Sequence, residues 1–322
     1  MDISFVIPAR NEKDTLRYTL ANLCQTASEY NFEIIVVDDH SDEDLSKYLN
    51  PSDEVLFIRN AERLGIAKSR NIGAQLAKGD VLIFLDAHVC FKRDWIDEIM
   101  RNKKLLETSI LGTATCLLED SSAFQAMSVR FQTPCLDAKK VYYGWQHFYL
   151  PIPGSAPNHV KKSSRSFSIP LVEAASLVIT RELFYDLGSF EDELTGSGNC
   201  EDDELCMRTW AFGYRVVVLP SILCFHYKAP LPRHGNGVHS DPGEPFLKEL
   251  YDDCLENVLR TLYLHLSEKR FQSLLDHYQT HPAFKADLDS IISERLKERK
   301  AFITRQRVHD DEWLWERMHR VG

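Results

Sequence analysis

Apolar and polar positions along the first hundred residues repeat one unit: a short β-branched run, a polar turn, then apolar residues at helical spacing. Residues 3–7 read as a buried strand stopping at Pro8, and Leu16, Leu20 and Leu23 set a helix within 12–25. A second strand at 32–37 ends at Asp38 and Asp39, a third covers 55–58, a helix follows over 66–77, and a fourth strand at 81–85 ends at Asp86. Alternation at this pitch predicts βαβ units and hence a mostly parallel sheet with helices on both faces. Ligands of such sheets sit beyond the carboxyl ends of the strands, and Asn11, Asp38, Asp39, Asp86 and His88 all follow strand ends.

Between about 110 and 230 the pattern is more broken. Residues 145–162, rich in Pro, Gly and aromatics, read as a long loop; 171–180 reads as a strand, 181–187 and 201–212 as helices, and 215–219 as another strand. The Pro, Gly, His and Asn content of 230–245 predicts a mobile loop. From 246 onward Phe246, Leu250, Cys254, Val258, Leu262, Phe271, Leu274 and Leu275 keep a helical pattern, which suggests a separate helical extension. At about 150 residues per domain, 322 residues allow about two domains. The expected division is a sheet-bearing domain over 1–230 (halves 1–110 and 111–230), the loop 231–245, and a helical extension 246–322.

Charge narrows the function. Thirty-eight Lys and Arg against 48 Asp and Glu leave a net charge of −10, which argues against a general nucleic-acid binder, since that needs a basic face. The eight cysteines form no C-x-x-C pair, so neither a zinc module nor a disulfide framework is expected. The opening MDISFVIPAR has no signal-peptide character, and apolar runs reach only about five residues where a membrane span needs about 20. The expectation is a reduced, cytoplasmic protein without a transmembrane segment.

Three constellations carry candidate chemistry. In FLDAHV, Asp86 and His88 point the same way at a strand end. A carboxylate and an imidazole suit Mn²⁺ or a similar divalent ion; alternatively Asp86 caps a helix over 95–100. In GSGNCEDDELCMR, Glu201, Asp202 and Asp203 begin a helix after a glycine-rich turn. They read either as a capping cluster favoured by the helix dipole or as a general base with acceptor-binding partners. In 63–73, small residues alternate with cations, which admits a phosphate at the helix start or an ordinary surface helix. Neither G-x-G-x-x-G nor G-x-x-x-x-G-K-[ST] occurs, which weakens dinucleotide-binding and P-loop readings.

Taken together, these residues resemble a GT-A-fold, nucleotide-sugar-dependent glycosyltransferase close to family 2. FVIPARNE is similar to that family's first strand and P-x-x-N-E turn, and IIVVDDHSDED to its V-D-D-x-S-x-D segment. RLGIAKSRNIGAQLAKGDVLIFLDAHV resembles the stretch running to the D-x-D metal motif, with His88 as its last member, like the D-x-H of polypeptide GalNAc-transferases. GSGNCEDDELCMRTWAFGY resembles the G-G-E-D-D-D segment of β-1,4-galactosyltransferases, and LCFHYK places His226 where such families supply a further metal ligand. The likeness extends over residues 1 to about 228.

The resemblance implies an α/β GT-A fold, Rossmann-like, with a mostly parallel central sheet and flanking helices, followed by the helical extension. It implies a metal centre of Asp86, His88 and His226 holding Mn²⁺ or Mg²⁺, and a UDP-sugar contacted by Pro8, Ala9, Arg10, Asp38, Asp39, Arg70 and Asp86. Asp202 becomes the catalytic base of an inverting transfer, with Glu201 and Asp203 holding the acceptor, a peptide, glycan or lipid-linked glycan bearing a hydroxyl or thiol. A retaining, GalNAc-transferase-like enzyme, a silent nucleotide-sugar-binding module and a nucleotidyltransferase are the rival readings. His234 and His239 belong to a solvated loop or close over the donor; Lys161, Lys162 and Arg165 face acceptor or solvent; Cys200 is a small helix-entry residue. The tail is open to two uses, a homodimer contact or an acceptor platform.

Overall fold

The computed structural model describes residues 2–27, 29–49, 55–117, 124–130, 146–151, 166–195, 200–227, 246–279 and 291–319. The expected loop at 230–245 with His234 and His239, most of that at 145–162, the cations Lys161, Lys162 and Arg165, and the turn 196–199 lie outside them.

The amino-terminal half follows the expected alternation. Strands β1 (Ile3–Ala9), β2 (Phe32–Asp38), β3 (Val55–Arg59) and β4 (Val81–Leu85) enclose helices α1 (Leu16–Thr26) and α2 (Ile66–Leu76). They pair in parallel in the order β3-β2-β1-β4, with Ile3 opposite both Phe32 and Val81. Every residue of β1 and β4 is buried, as befits strands covered on both faces. Successive side chains divide between two cores: Val6, Leu82 and Phe84 lie in one, Ile3, Phe5, Ile7 and Ile83 in the other. Helix α2 lies close on β1 because residue 73 is glycine; a Cβ there would sit 2.4 Å from Val6 Cγ1.

Beyond β4 the sheet is mixed. β4 pairs antiparallel with β10 (Ser176–Thr180), β10 antiparallel with β6 (Ser109–Leu117), β6 parallel with β11 (Arg215–His226), and β11 antiparallel with β5 (Val89–Phe91). Strands β7 (Phe124–Arg130) and β8 (Gln146–Pro151) form a hairpin on β6, and β9 (Phe167–Ser168) pairs with β11. The mostly parallel sheet expected is wholly parallel only through β3-β2-β1-β4; beyond β4 the β6–β11 pair alone, among the described residues, is parallel. The strand expected over 171–180 keeps its second half, leaving 171–175 as connecting chain. The strand expected over 215–219 instead continues to His226, with its register shifted between Leu219 and Leu223, where Pro220 has no N–H to give the ladder.

Helices α3 (Trp95–Arg101), α4 (Lys103–Leu106), α5 (Arg181–Asp186) and α6 (Glu201–Ala211) flank this sheet. The tail forms α7 (Phe246–His265), α8 (Glu268–Gln279), α9 (Glu294–Gln306) and α10 (Asp311–His319). It is not set apart from the sheet-bearing part. Val258, Leu259, Leu262 and Leu266 share one apolar core with Leu205, Met207 and Trp210 of α6. No helix of the described residues is long and apolar enough to cross a membrane.

A buried polar knot fastens the tail to α6. Glu204 ion-pairs with Arg208 one turn on, and its Oε1 lies 3.0 Å from His265 Nε2. Arg208 also donates to the Leu187 carbonyl at 2.7 Å, and Arg299 of α9 donates to Glu191 at 2.7 Å. Burial pushes the Glu204 carboxyl up, but Arg208 and His265 more than offset it, holding the group at about 2. Burial dominates at His265 and lowers its pKa below the ordinary 6.5. A neutral imidazole donating from Nε2 fits the site, because the buried Nδ1 has no acceptor among the described residues and would be costly as an N–H.

The unfolded chain binds a proton at this histidine near pH 6.5 while the folded chain does not. Stability should therefore fall as pH drops below about 6.5, by up to about 1.4 kcal/mol per pH unit from this group. His265→Gln keeps a donor but cannot titrate. Denaturant midpoints between about pH 5 and 7 should show a shallower slope in the variant; matching slopes would refute a neutral buried His265.

Candidate active site

The site lies along the carboxyl edge of β1, β2 and β4, where the chain leaves the sheet at Ala9, Asp38 and Leu85. β5 turns back immediately after Asp86 and pairs with the end of β11, Val89 opposite His226, and Tyr227 N–H donates to the His88 carbonyl at 2.9 Å. That pairing brings together side chains 138 positions apart. His88 Nε2 and His226 Nε2 are 3.1 Å apart, and Asp86 Oδ2 is 3.1 Å from the latter and 3.9 Å from the former. Among the described residues these three make a group of ligand atoms all within 4.8 Å.

Their chemistry fits a divalent cation. Two imidazole nitrogens and a carboxylate oxygen converge, and lone pairs at such distances repel unless a proton or a cation lies among them. One carboxylate with two imidazoles suits Mn²⁺ and comparable ions. Asp86 is about 21% exposed, so the centre is accessible. Burial raises its carboxyl, yet the His226 hydrogen bond, His88 and Arg70 together hold it well below the usual carboxylate range. It is therefore ionised at neutral pH, as a ligand must be. Asp86 does not cap α3; Asp94 occupies that position.

Arg70, 1% exposed, is the hub behind this centre. Nη1 donates to Glu201 Oε1, while Nη2 reaches Asp86 Oδ1 at 3.2 Å and the Ala174 carbonyl at 3.1 Å. The Ala174 N–H in turn donates to Asp202 Oδ2 at 2.9 Å. One guanidinium and one peptide thus link the metal motif to the first turn of α6. Burial raises the Asp202 carboxyl well above its ordinary value, and the neighbouring Glu201 and Asp203 raise it further. Burial likewise raises Glu201, against the pull of Arg70. Asp203 is buried at 1%. Arg70 is spent inside the protein, on two carboxylates rather than on an open face of the cleft.

The two aspartates after β2 are also engaged internally. Asp38, fully buried, accepts from Ser41 N–H at 2.9 Å and from Arg59 at 2.8 Å. Asp39 accepts from the Leu64 and Gly65 N–H groups at 2.7 and 2.9 Å and from Asn60 at 2.9 Å. The backbone N–H groups that the sequence offered to a phosphate ahead of α2 are therefore taken by Asp39. Gly65, at φ 89°, makes this entry turn in the left-handed region that glycine favours. Pro8 and Ala9 lie buried at the end of β1, with Arg10 exposed beyond it.

Two participants escaped sequence reasoning. Glu12 stands in the quoted P-x-x-N-E turn, and its contact with His88 follows from tertiary packing. Ala174 acts through its peptide group, for which no side-chain signal exists.

The fold defined by this sheet and edge is that of the GT-A glycosyltransferases: the chain superposes on a crystal structure of GalNAc-T7 with UDP, GalNAc and Mn²⁺ at a TM-score of 0.69, with 20% identity, covering 98% of this chain and 56% of that one. Residues 4–115 match the family model described as Glycosyl transferase family 2. Human polypeptide N-acetylgalactosaminyltransferase 10 is 29% identical over 230 residues, which is 67% of this chain and 36% of that protein. The probable N-acetylgalactosaminyltransferase 6 of Caenorhabditis elegans is 26% identical over 337 residues, covering 99% of this chain and 51% of that protein. The chain thus spans between about a third and a half of these two relatives.

Removing the hub should expose its importance. Arg70→Met deletes the cation and leaves Glu201 buried without its charge partner, which should cost about 3–5 kcal/mol in denaturant unfolding. A variant as stable as the parent would show that the carboxylates do not depend on Arg70.

Proposed function

We propose that the protein is a metal-dependent glycosyltransferase moving a sugar from a UDP-sugar to a hydroxyl or thiol acceptor. The observation that carries this reading is the convergence of Asp86, His88 and His226 one guanidinium away from the Asp202 turn. Asp86, His88 and His226 would hold Mn²⁺ or Mg²⁺, which supplies positive charge against the leaving diphosphate when bound. The nucleoside would lie over the strand ends at Pro8, Ala9, Arg10, Asp38 and Asp39. The named relatives transfer N-acetylgalactosamine, so UDP-GalNAc is the first donor to test.

In this reading Asp202 accepts the acceptor's proton while the acceptor oxygen or sulfur bonds to the anomeric carbon. The bond from that carbon to the diphosphate oxygen breaks, UDP leaves, and the configuration inverts. Burial that raises Asp202 also makes it a stronger base once ionised. Glu201 and Asp203 would orient an acceptor drawn from peptides, glycans and lipid-linked glycans.

Three measurements test the assignment. Asp202→Asn should cut turnover about 10²–10⁴-fold with UDP binding retained, and full turnover would remove Asp202 from the base role. Anomeric-proton NMR should show a product configuration opposite to the donor's; retention would transfer the mechanism to the GalNAc-transferase-like alternative. Asp86→Ala should abolish the Mn²⁺ dependence of UDP binding in calorimetry.

A further inference from the structure

We propose that Glu12 is a positioning residue for the metal centre: it accepts the Nδ1 proton of His88 and so turns the Nε2 lone pair toward Asp86 and His226. The inference rests on the metal-dependent reading above and adds a residue that the reading does not require. Glu12 Oε1 lies 3.1 Å from His88 Nδ1, while His88 Nε2 faces His226 Nε2 at 3.1 Å and Asp86 Oδ2 at 3.9 Å. A neutral imidazole carries one N–H. A carboxylate can only accept at Nδ1, so the proton belongs on Nδ1 and the lone pair on Nε2.

Glu12 is itself held. Its second oxygen accepts from the Thr15 hydroxyl, and its backbone carbonyl accepts from Leu16 N–H at 2.9 Å at the start of α1. The turn after β1 is therefore clamped to the metal motif after β4 through one imidazole. Glu12 lies across the ring from the converging donors and is not among the atoms within 4.8 Å of one another, so its part is orientation, not ligation. A carboxylate behind a ligating histidine fixes the tautomer and raises its basicity, and losing such a partner typically weakens metal affinity about 10–100-fold.

The test uses the full chain with Mn²⁺ alone, titrated by calorimetry and by electron paramagnetic resonance. Glu12→Ala should weaken Mn²⁺ binding about 10–100-fold, and Glu12→Gln, which retains a neutral acceptor, by less. In metal-free protein, ¹⁵N-correlated NMR of the histidine rings should report Nδ1–H at His88, and Glu12→Ala should lose that preference. Parental Mn²⁺ affinity in Glu12→Ala, or an Nε2–H tautomer in the parent, would overturn the proposal. Asp86→Ala and His226→Ala separate the two layers: if they too bind Mn²⁺ like the parent, the metal reading itself fails. If they lose binding while Glu12→Ala keeps it, only the role of Glu12 fails. The tautomer readout needs no activity and distinguishes orientation of His88 from a merely structural role.

Discussion

A cation buried among carboxylates is the constraint on which the site depends. Arg70 is almost wholly removed from water, and a guanidinium cannot shed its proton to escape the cost. It must be matched, and the matching groups are the Asp86 and Glu201 carboxylates with the Ala174 carbonyl. Those partners come from β4's end, from α6 and from the chain before β10. Satisfying one charge therefore holds three distant segments in register. It also lets two acidic clusters stand close together without a ruinous repulsion.

The tail bears on the same arrangement from behind. Its helices bury their apolar face against α6, and the Glu204–Arg208–His265 contacts close the polar groups that this burial would otherwise strand. The first turn of α6 carries Glu201, Asp202 and Asp203, so fixing the helix fixes their placement. The helical extension is present, and its packing on α6 could not be read from the sequence for a physical reason. The sequence shows an apolar stripe on α7 but not the surface that stripe covers, and here that surface includes α6.

Legibility varied with how local the signal was. Strands β1 to β4 and helix α2 were readable to within about two residues, because buried parallel strands are continuous apolar runs and helices alternate with them. Asp86 and His88 were legible as candidate ligands through motif spacing, and His226 through the family resemblance alone. The mixed second half was not, since β5 is three residues long and β6 carries a glycine and threonines amid its apolar positions. Asp38, Asp39 and Arg70 were legible as polar groups near the strand ends, but the internal partner that the fold gives each was not.

The sequence by itself determined the alternating architecture, the strand-end location of the polar residues and the chemistry available there. Those follow from periodicity and side-chain type, which are properties of short windows. Tertiary structure alone decided which of those residues meet: His88 with His226 through the β5–β11 pairing, Glu12 behind His88, and Arg70 between Asp86 and Glu201. Each contact joins residues 16 to 138 positions apart. Such contacts depend on strand order and on where buried charge finds its complement, and no window of sequence contains either.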